Sequence, residues 1–205
     1  RSGAEAGHYR FFFGDRIMNV FDFDNTIYDG ESAFDFFVFC ARKYPRMIKF
    51  FPRVISVVIL YKLCRITREG LLDRMEKYDA EILRIAGDIR VLVREFWDKN
   101  ESKIKPYYSK IRRDDDVIIS ASFDFLLDEI MQRVGIKNCI CSKMDLETGR
   151  VTQLCFGDEK VRLFKEAYPD GTVDCFFTDS MNDLPMTKLA KKSYIVKGNK
   201  IREKK

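Results

Sequence analysis

The sequence predicts an α/β fold: a doubly wound, mostly parallel sheet that carries an inserted, all-helical cap. Three observations predict it. Short apolar runs (Val20-Phe21, Val117-Ile118-Ile119, Cys139-Ile140-Cys141, Val173 to Phe177, Tyr194-Ile195-Val196) alternate with stretches of helical spacing, as strands joined by crossover helices do. From Ala33 to about Lys105, after the first run, the spacing is helical and no strand signal of comparable strength interrupts it. Several of the apolar runs end in reactive polar side chains, and the carboxyl ends of strands are where open α/β sheets place their ligand sites.

The elements follow in order. Met18 opens the first strand, whose buried residues are Val20, Phe21 and Phe23. Tyr28 to Glu31 is a turn, and Ser32 is placed to cap the helix that follows, with Phe34, Phe37, Val38 and Ala41 on its apolar face. Pro45 fits the first turn of a second helix running to Leu63, with a kink expected at Pro52. Thr67 caps a third, carrying Leu71, Leu72, Met75, Ile82 and Leu83; Gly87 ends it and Ile89 to Trp97 restarts. Pro106 begins a short helix ending near Arg112, and Asp114-Asp115-Asp116 reads as a solvated turn. After the strand at Val117, Phe123 to Val134 is a helix stopped by Gly135. Glu147 to Arg150 reads as a hairpin turn, Lys160 to Tyr168 and Leu184 to Ala190 as helices, and Tyr194 to Val196 as the last strand. The domain division is therefore core at 18–30 and 106–205, cap at 31–105. Residues 1–17 lack a Met and are read as leader or added residues, with Met18 as the start.

Composition narrows the function classes. A chain of 205 residues with 46% hydrophobic content supports one core domain and an insertion. The net charge of +5 is too mild to imply nucleic acid. The six cysteines, 40, 64, 139, 141, 155 and 175, form no CxxC pair with a His partner, so they read as reduced, buried thiols of a cytoplasmic protein and not as a zinc site. The single histidine, His8, excludes His-dependent nucleophilic catalysis unless His8 itself carries it.

The chemistry lies at the strand ends. Asp22 and Asp24 stand two residues apart, which puts both carboxylates on one side of an extended chain. Close like charges repel, and oxygen-only ligation suits Mg2+. Ser120-Ala121-Ser122 follows the second apolar run, and Ser120 with the amides of the next turn reads as an anion cradle at a helix start. Thr178 to Asp183 follows another run, and Lys160 opens a helix after Gly157. One crevice would thus hold Asp22, Asp24, Asp179, Asp183, Ser120 and Lys160, a set matched to a dianionic phosphate ester. Asp22 is already ionised at neutral pH and can attack without a base. Asp24 is placed to protonate the leaving alkoxide and then take a proton from water.

This order of motifs resembles the haloacid dehalogenase (HAD) superfamily, in its phosphoserine-phosphatase-like branch with a helical cap after the first motif. The motifs are Asp-x-Asp-x-Thr at Asp22 to Thr26, the Ser of Ile119-Ser120-Ala121-Ser122, the Lys of Gly157-Asp158-Glu159-Lys160, and Asp-Ser-x-Asn-Asp-x-Pro-Met at Asp179 to Met186. The resemblance implies Asp22 as nucleophile, Asp24 as acid/base, and Mg2+ held by Asp22, the Asp24 backbone carbonyl and Asp179, with Asp183 acting through water or Lys160. Ser120, Ala121, Lys160 and Asn182 would bind the phosphate side, and Glu31 the substrate amine. Two positions depart from the pattern: Thr178 stands where Gly usually precedes the fourth motif, and Phe123 where this branch often has Pro. Dehalogenase members lack the second Asp and ion pumps carry Thr there, so Asp24 favours phosphate-ester hydrolysis, with free phosphoserine the best-known substrate of the branch.

The cap chooses the substrate. From Phe36 to Arg68 there is no Asp or Glu, whereas Arg42, Lys43, Arg46, Lys49, Arg53, Lys62, Arg65 and Arg68 all fall there, around an apolar run from Val54 to Tyr61. Eight residues cannot span a bilayer. A basic, apolar helix does suit an anionic membrane surface. The alternatives to a small-metabolite phosphatase are therefore a membrane-surface lipid phosphatase, acting on a substrate like phosphatidylglycerophosphate, and a silent phosphate-binding protein. The expected partners are a small phosphate ester and a weak contact with anionic membrane, with no nucleic acid.

Overall fold

A computed structural model describes residues 17–63, 65–180 and 183–204. His8, Cys64, Met181 and Asn182 lie outside the described residues.

The core begins with β1 (Ile17–Phe21), one residue earlier than Met18. The helical block follows. It comprises α1 (Ser32–Lys43), a 3-10 stretch Pro45–Phe50, α2 (Phe51–Lys62), α3 (Arg68–Ala86) and α4 (Ile89–Asn100). The core resumes with α5 (Pro106–Ile111), β2 (Val117–Phe123), α6 (Asp124–Arg133), β3 (Asn138–Met144) and β4 (Val151–Gln153). It ends with α7 (Asp158–Ala167), β5 (Thr172–Thr178), α8 (Leu184–Leu189), β6 (Lys192–Lys197) and β7 (Lys200–Glu203).

Seven strands form one sheet in the order β4-β3-β2-β1-β5-β6-β7. β3, β2, β1, β5 and β6 are mutually parallel, and β4 and β7 pair antiparallel at the edges. The predicted α/β class and mostly parallel sheet are therefore present. Both edge strands escaped the sequence reading, because a three-residue and a four-residue polar strand carry almost no periodic signal. Alternation along the inner strands splits the core in two. Phe21, Ile118 and Phe177 face one layer with α4 and α6. Val20, Ile119 and Phe176 face the other, with α7 and α8. Stacked rings cross the sheet at Phe21, Phe177 and Tyr194.

Local expectations are refined in several places. Thr67 does cap α3, accepting from the Gly70 amide, and Gly87 follows it at φ +69°. Pro52 produces no kink inside a helix, because the 3-10 stretch ends just before it and Pro52 falls in the first turn of α2. The buried face of α1 is Phe36, Cys40 and Ala41, while Phe34 is 47% exposed. That helix is apolar on more than one face, which spacing alone does not separate. Asp116 is buried instead of solvated, accepting from the Arg113 amide at 2.8 Å. The described cysteines, Cys40, Cys139, Cys141, Cys155 and Cys175, are all free, with Cys139 and Cys175 only half-buried. No described helix is long and apolar enough to cross a membrane.

Two of the contacts that fasten the helical block to the core stand out. Trp97 of α4 is fully buried and donates to the Leu126 carbonyl at 2.7 Å. At the other end α3 rests on the β3–β4 turn. Gly149 there has φ +75°, and a Cβ on it would lie 2.6 Å from the Ala80 amide nitrogen. Next to this seat, Asp79 is buried, and its Oδ2 has no hydrogen-bond partner among the described residues. Burial pushes its carboxyl up to about 7.

The raised Asp79 pKa sets a sign. Between about pH 4 and about pH 7 the folded state holds a proton that the unfolded state has released, so stability falls as pH rises across that window. Asp79→Asn should remove this dependence. Relative to wild type it should gain up to about 4 kcal/mol between pH 4 and pH 8, read from urea midpoints at both pH values. An equal mutant-to-wild-type difference at the two pH values would contradict the assignment.

Candidate active site

β1 stops at Phe21, and the Asp22 amide adds one more ladder bond, to the Phe177 carbonyl at 2.8 Å. The chain turns at Asn25 to Ile27, after Asp24. The Phe23 carbonyl accepts from the amides of Thr26, Ile27 and Tyr28. Asn25 takes a positive φ of 55°, a conformation Asn tolerates better than most residues. The loop is pinned from outside itself. Buried Lys105 donates to the Asn25 carbonyl, and Tyr107 Oη donates to the Thr26 carbonyl at 2.8 Å.

The two carboxylates of Asp-x-Asp take different partners. Asp22 Oδ1 accepts from Lys160 Nζ at 2.8 Å, and among the described residues its Oδ2 has a 3.4 Å contact from Thr26 Oγ1. Asp24 Oδ1 accepts from the Ser32 amide at 2.7 Å, and its Oδ2 accepts from Ser122 Oγ at 2.7 Å. Ser32 is therefore no side-chain cap. It is the first residue of α1, with Glu31 at the cap position, and its hydroxyl lies 3.0 Å from Ser122 Oγ. Exposed Glu31 accepts from Asn25 Nδ2 at 2.7 Å.

Lys160 is the third residue of α7, 3% exposed, and its ammonium also reaches Asp183 Oδ1 at 2.8 Å. Burial pulls its pKa down, but Asp22 and Asp183 outweigh burial and keep it protonated. Burial pushes the Asp22 carboxyl above the usual carboxylate range; Lys160 pulls it back, and Asp183 and Asp24 push it up again. Asp179, half-buried, is raised by burial and by Asp183, while Lys105 and Lys160 pull it down. Lys105 itself is lowered by burial, against the pull of Asp29 and Asp179.

Ser120 corrects the sequence reading. It lies inside β2, fully buried, and no helix starts at the residues that follow it. Ser120 pairs with Cys141 and Phe123 with Ser142, so Ala121 and Ser122 form an irregularity within the strand, and α6 starts only at Asp124. Ser120 Oγ accepts from the Ser122 amide at 3.1 Å, and the Ala121 carbonyl accepts from Ser142 Oγ. The bulge turns Ser122 toward Asp24. Thr178, the departure from Gly, donates to Asp183 Oδ2 at 2.9 Å and accepts from the Ser180 amide at 3.1 Å. Sequence reasoning missed Ser122, Lys105 and Tyr107. Ser122 was visible as the second serine at a spacing of two, whereas Lys105 and Tyr107 reach the site across about 80 residues of chain and left no local signal.

Among the described residues no three carboxylate, Cys or His side chains form a ready-made metal cage. The donor set still fits Mg2+. Asp22, Asp24, Asp179 and Asp183 gather around the buried ammonium of Lys160, with a second buried ammonium, Lys105, beside Asp179, so four carboxylates meet two cations and negative charge is left uncompensated. The Asp24 side chain is spoken for by Ser32 and Ser122, so only its backbone carbonyl remains to ligate. Mg2+ binds through one or two carboxylates and keeps several waters, and does not need an all-protein cage.

A family model of haloacid dehalogenase-like hydrolases matches residues 20–188, a span that holds every one of these groups. The chain belongs to that family. Among solved structures the fold is shared with a protein of unknown function from Bordetella pertussis Tohama I (17% identity, 88% of this chain and 89% of that one, TM-score 0.69). It is shared too with a phosphoserine phosphohydrolase-like protein from Francisella tularensis (16%, 86% and 85%, 0.55). A third is the phosphoserine phosphatase from T. onnurineus (19%, 87% and 82%, 0.52). No curated protein matches this chain.

Removing the central cation tests the electrostatics of this HAD site without reference to turnover. Lys160→Met leaves buried Asp22 and Asp183 facing each other, and should lower stability by about 3–5 kcal/mol in urea unfolding with EDTA present. A loss below about 1 kcal/mol would mean that the two carboxylates are not held ionised together.

Proposed function

We propose that the chain is a Mg2+-dependent phosphomonoester hydrolase that works through an aspartyl-phosphate on Asp22, with a small phosphorylated metabolite such as phosphoserine as the first candidate substrate. The observation that carries this reading is the separation of the two carboxylates of Asp-x-Asp. Asp22 is tied to an ammonium and keeps one oxygen nearly unengaged; Asp24 is tied to a hydroxyl and an amide. Two carboxylates with different surroundings suit two roles, nucleophile and acid/base.

Asp22 Oδ2 attacks phosphorus, and the bond between phosphorus and the ester oxygen breaks. Asp24, entering protonated, gives its proton to the departing alkoxide. As a carboxylate it then takes a proton from the water whose oxygen attacks the phosphoryl group. The bond to Asp22 breaks and inorganic phosphate leaves. Ser122 and the Ser32 amide hold the Asp24 carboxyl in one orientation through both half-reactions. Lys160 and the Ser120 region line the phosphate side, and the Lys160 ammonium offsets charge on the phosphoryl oxygens. Mg2+, held by Asp22, the Asp24 carbonyl and Asp179 with Asp183 behind them, supplies further positive charge beside the phosphate when bound.

Asp22→Asn should lower phosphate release by about a thousandfold or more. Asp24→Asn should cost about 100- to 10,000-fold on alkyl phosphates and less on an aryl phosphate, whose leaving group needs little protonation. Phosphate release is measured from phosphoserine, other small esters and an aryl phosphate, in EDTA and after Mg2+ is restored. Wild-type rates in Asp22→Asn, or rates indifferent to EDTA, would overturn the mechanism.

A further inference from the structure

A cavity of about 620 Å3 lies between the cap helices and the core. Its wall is apolar: Phe37 from α1, Val54, Ile55 and Ile59 from α2, and Met75 and Ile82 from α3. Its carboxylates are Asp79 and Glu31. Size and lining match a site for a ligand of a few tens of atoms with a small number of polar contacts.

Its position tells which part of a ligand it would take. Glu31 and Phe123 line the cavity, and each is chain neighbour to a group that holds Asp24. Glu31 precedes Ser32, whose amide donates to Asp24; Phe123 follows Ser122, whose hydroxyl does. The cavity therefore begins one residue along the chain from each of the two groups that hold Asp24, while Asp22 and Lys160 are not in its lining; on the reading above, that is the side of the leaving alcohol and not of the phosphate.

An apolar wall at that place selects by solvation. The carboxylate of phosphoserine would be stripped of water against Val54, Ile55 and Met75 with no Lys or Arg in the lining to replace it, a cost of several kcal/mol for an unpaired charge, whereas Glu31 and Asp79 could meet only its ammonium. An alkyl chain gains instead, since each buried methylene is worth about 0.8 kcal/mol. Two further features agree. Phe34 and Ile59 line it and remain 47% and 49% exposed, giving an apolar rim. The stretch from Phe36 to Arg68 has eight basic residues and no acid, and although Lys43 and Lys49 are paired with Glu95 and Glu81, the excess is basic and suits an anionic amphiphile.

We infer that this cavity binds the apolar chain of the leaving alcohol, so that the preferred substrates are amphiphilic phosphomonoesters, a phosphate at the end of a long hydrocarbon. The inference rests on the phosphomonoesterase reading above and, within it, puts amphiphilic esters ahead of phosphoserine. The same chemistry occurs in single-chain alkyl phosphates and in the headgroup end of a phosphorylated lipid.

The test is a series of n-alkyl phosphates from butyl to dodecyl, kept below their micelle concentrations, with phosphoserine alongside. kcat/KM should rise roughly threefold to fourfold per methylene until the cavity is full, and phosphoserine should fall below butyl phosphate. Ile55→Trp fills the cavity, and the dodecyl-to-butyl ratio, read within each protein so that a loss of folded fraction cancels, should drop at least tenfold. A flat chain-length series, or a ratio unmoved by Ile55→Trp, overturns the inference while leaving the phosphatase reading intact. Calorimetry with dodecylphosphonate, which is not hydrolysed, reads the cavity without turnover. Tight binding weakened by Ile55→Trp, with no phosphate released from any ester, supports the cavity and sinks the catalytic reading; no binding and no release overturns both. Hydrolysis of phosphatidate in phosphatidylcholine vesicles at rates like those of dodecyl phosphate assigns the lipid source, and hydrolysis of the monomeric ester alone assigns the soluble one.

Discussion

One buried ammonium organises the molecule. Lys160 reaches the loop after β1 through Asp22 and the loop after β5 through Asp183, and it does so from a helix that follows β4. Three chain segments distant in sequence are thereby fixed to a single point. Taking a lysine and two carboxylates out of water is expensive, and the mutual attraction offsets this only when the geometry is good and further hydrogen bonds satisfy what is left. Both conditions are met by 2.8 Å contacts on each side and by Thr178 on the far oxygen of Asp183. The balance remains lopsided toward negative charge, since Asp24 and Asp179 stand close by. Uncompensated negative charge at the end of a parallel sheet is what the proposed divalent cation would neutralise.

The first loop is held as firmly as the ammonium. An attacking carboxylate must not drift by an ångström. Here its loop is tied by three amides to the Phe23 carbonyl, by Lys105 and Tyr107 to the carbonyls of Asn25 and Thr26, and by Gly30, where a Cβ would meet Asp35 at 2.8 Å. Residues that never touch a substrate thus decide where Asp22 and Asp24 point.

What was legible in the sequence follows from what is local. Inner strands, helices with caps and the order of Asp22, Ser120, Lys160 and Asp179 depend on residues near one another in the chain, so spacing revealed them. Ser120 was misplaced because an apolar run followed by serines reads as a strand end, and only pairing with Cys141 and Ser142 of β3 keeps the strand going. Thr178 was noticed as an oddity, and its partner Asp183 gives the oddity a physical reason. Lys105, Tyr107 and Asp116 act through burial against remote chain, and composition around them resembles any polar surface stretch. On α1 the pattern of Phe34, Phe37, Val38 and Ala41 marked the core in part: Ala41 is buried and Phe37 packs against the core, but Phe34 is exposed. Phe36 and Cys40, buried in the core, line the cavity together with Phe34 and Phe37.

That last point separates the labour of the two halves of the chain. In the core, the charged groups of the site are paired with named partners, although Tyr108 Oη and Asp116 Oδ1 have none among the described residues, and the apolar residues are used up in packing on either face of the sheet. In the helical block, α1 and α2 carry more apolar surface than their packing consumes, and the surplus lines a space that begins at the residues flanking Asp24. On the proposed mechanism the phosphoryl chemistry would rest on Asp22, Lys160 and a cation, and it needs nothing apolar beside Asp24. Apolar surface placed there would act on the other product, the alcohol. On that reading the fold would separate recognition of phosphate, electrostatic and fixed, from recognition of the leaving group, hydrophobic and set by how α1, α2 and α3 pack around it.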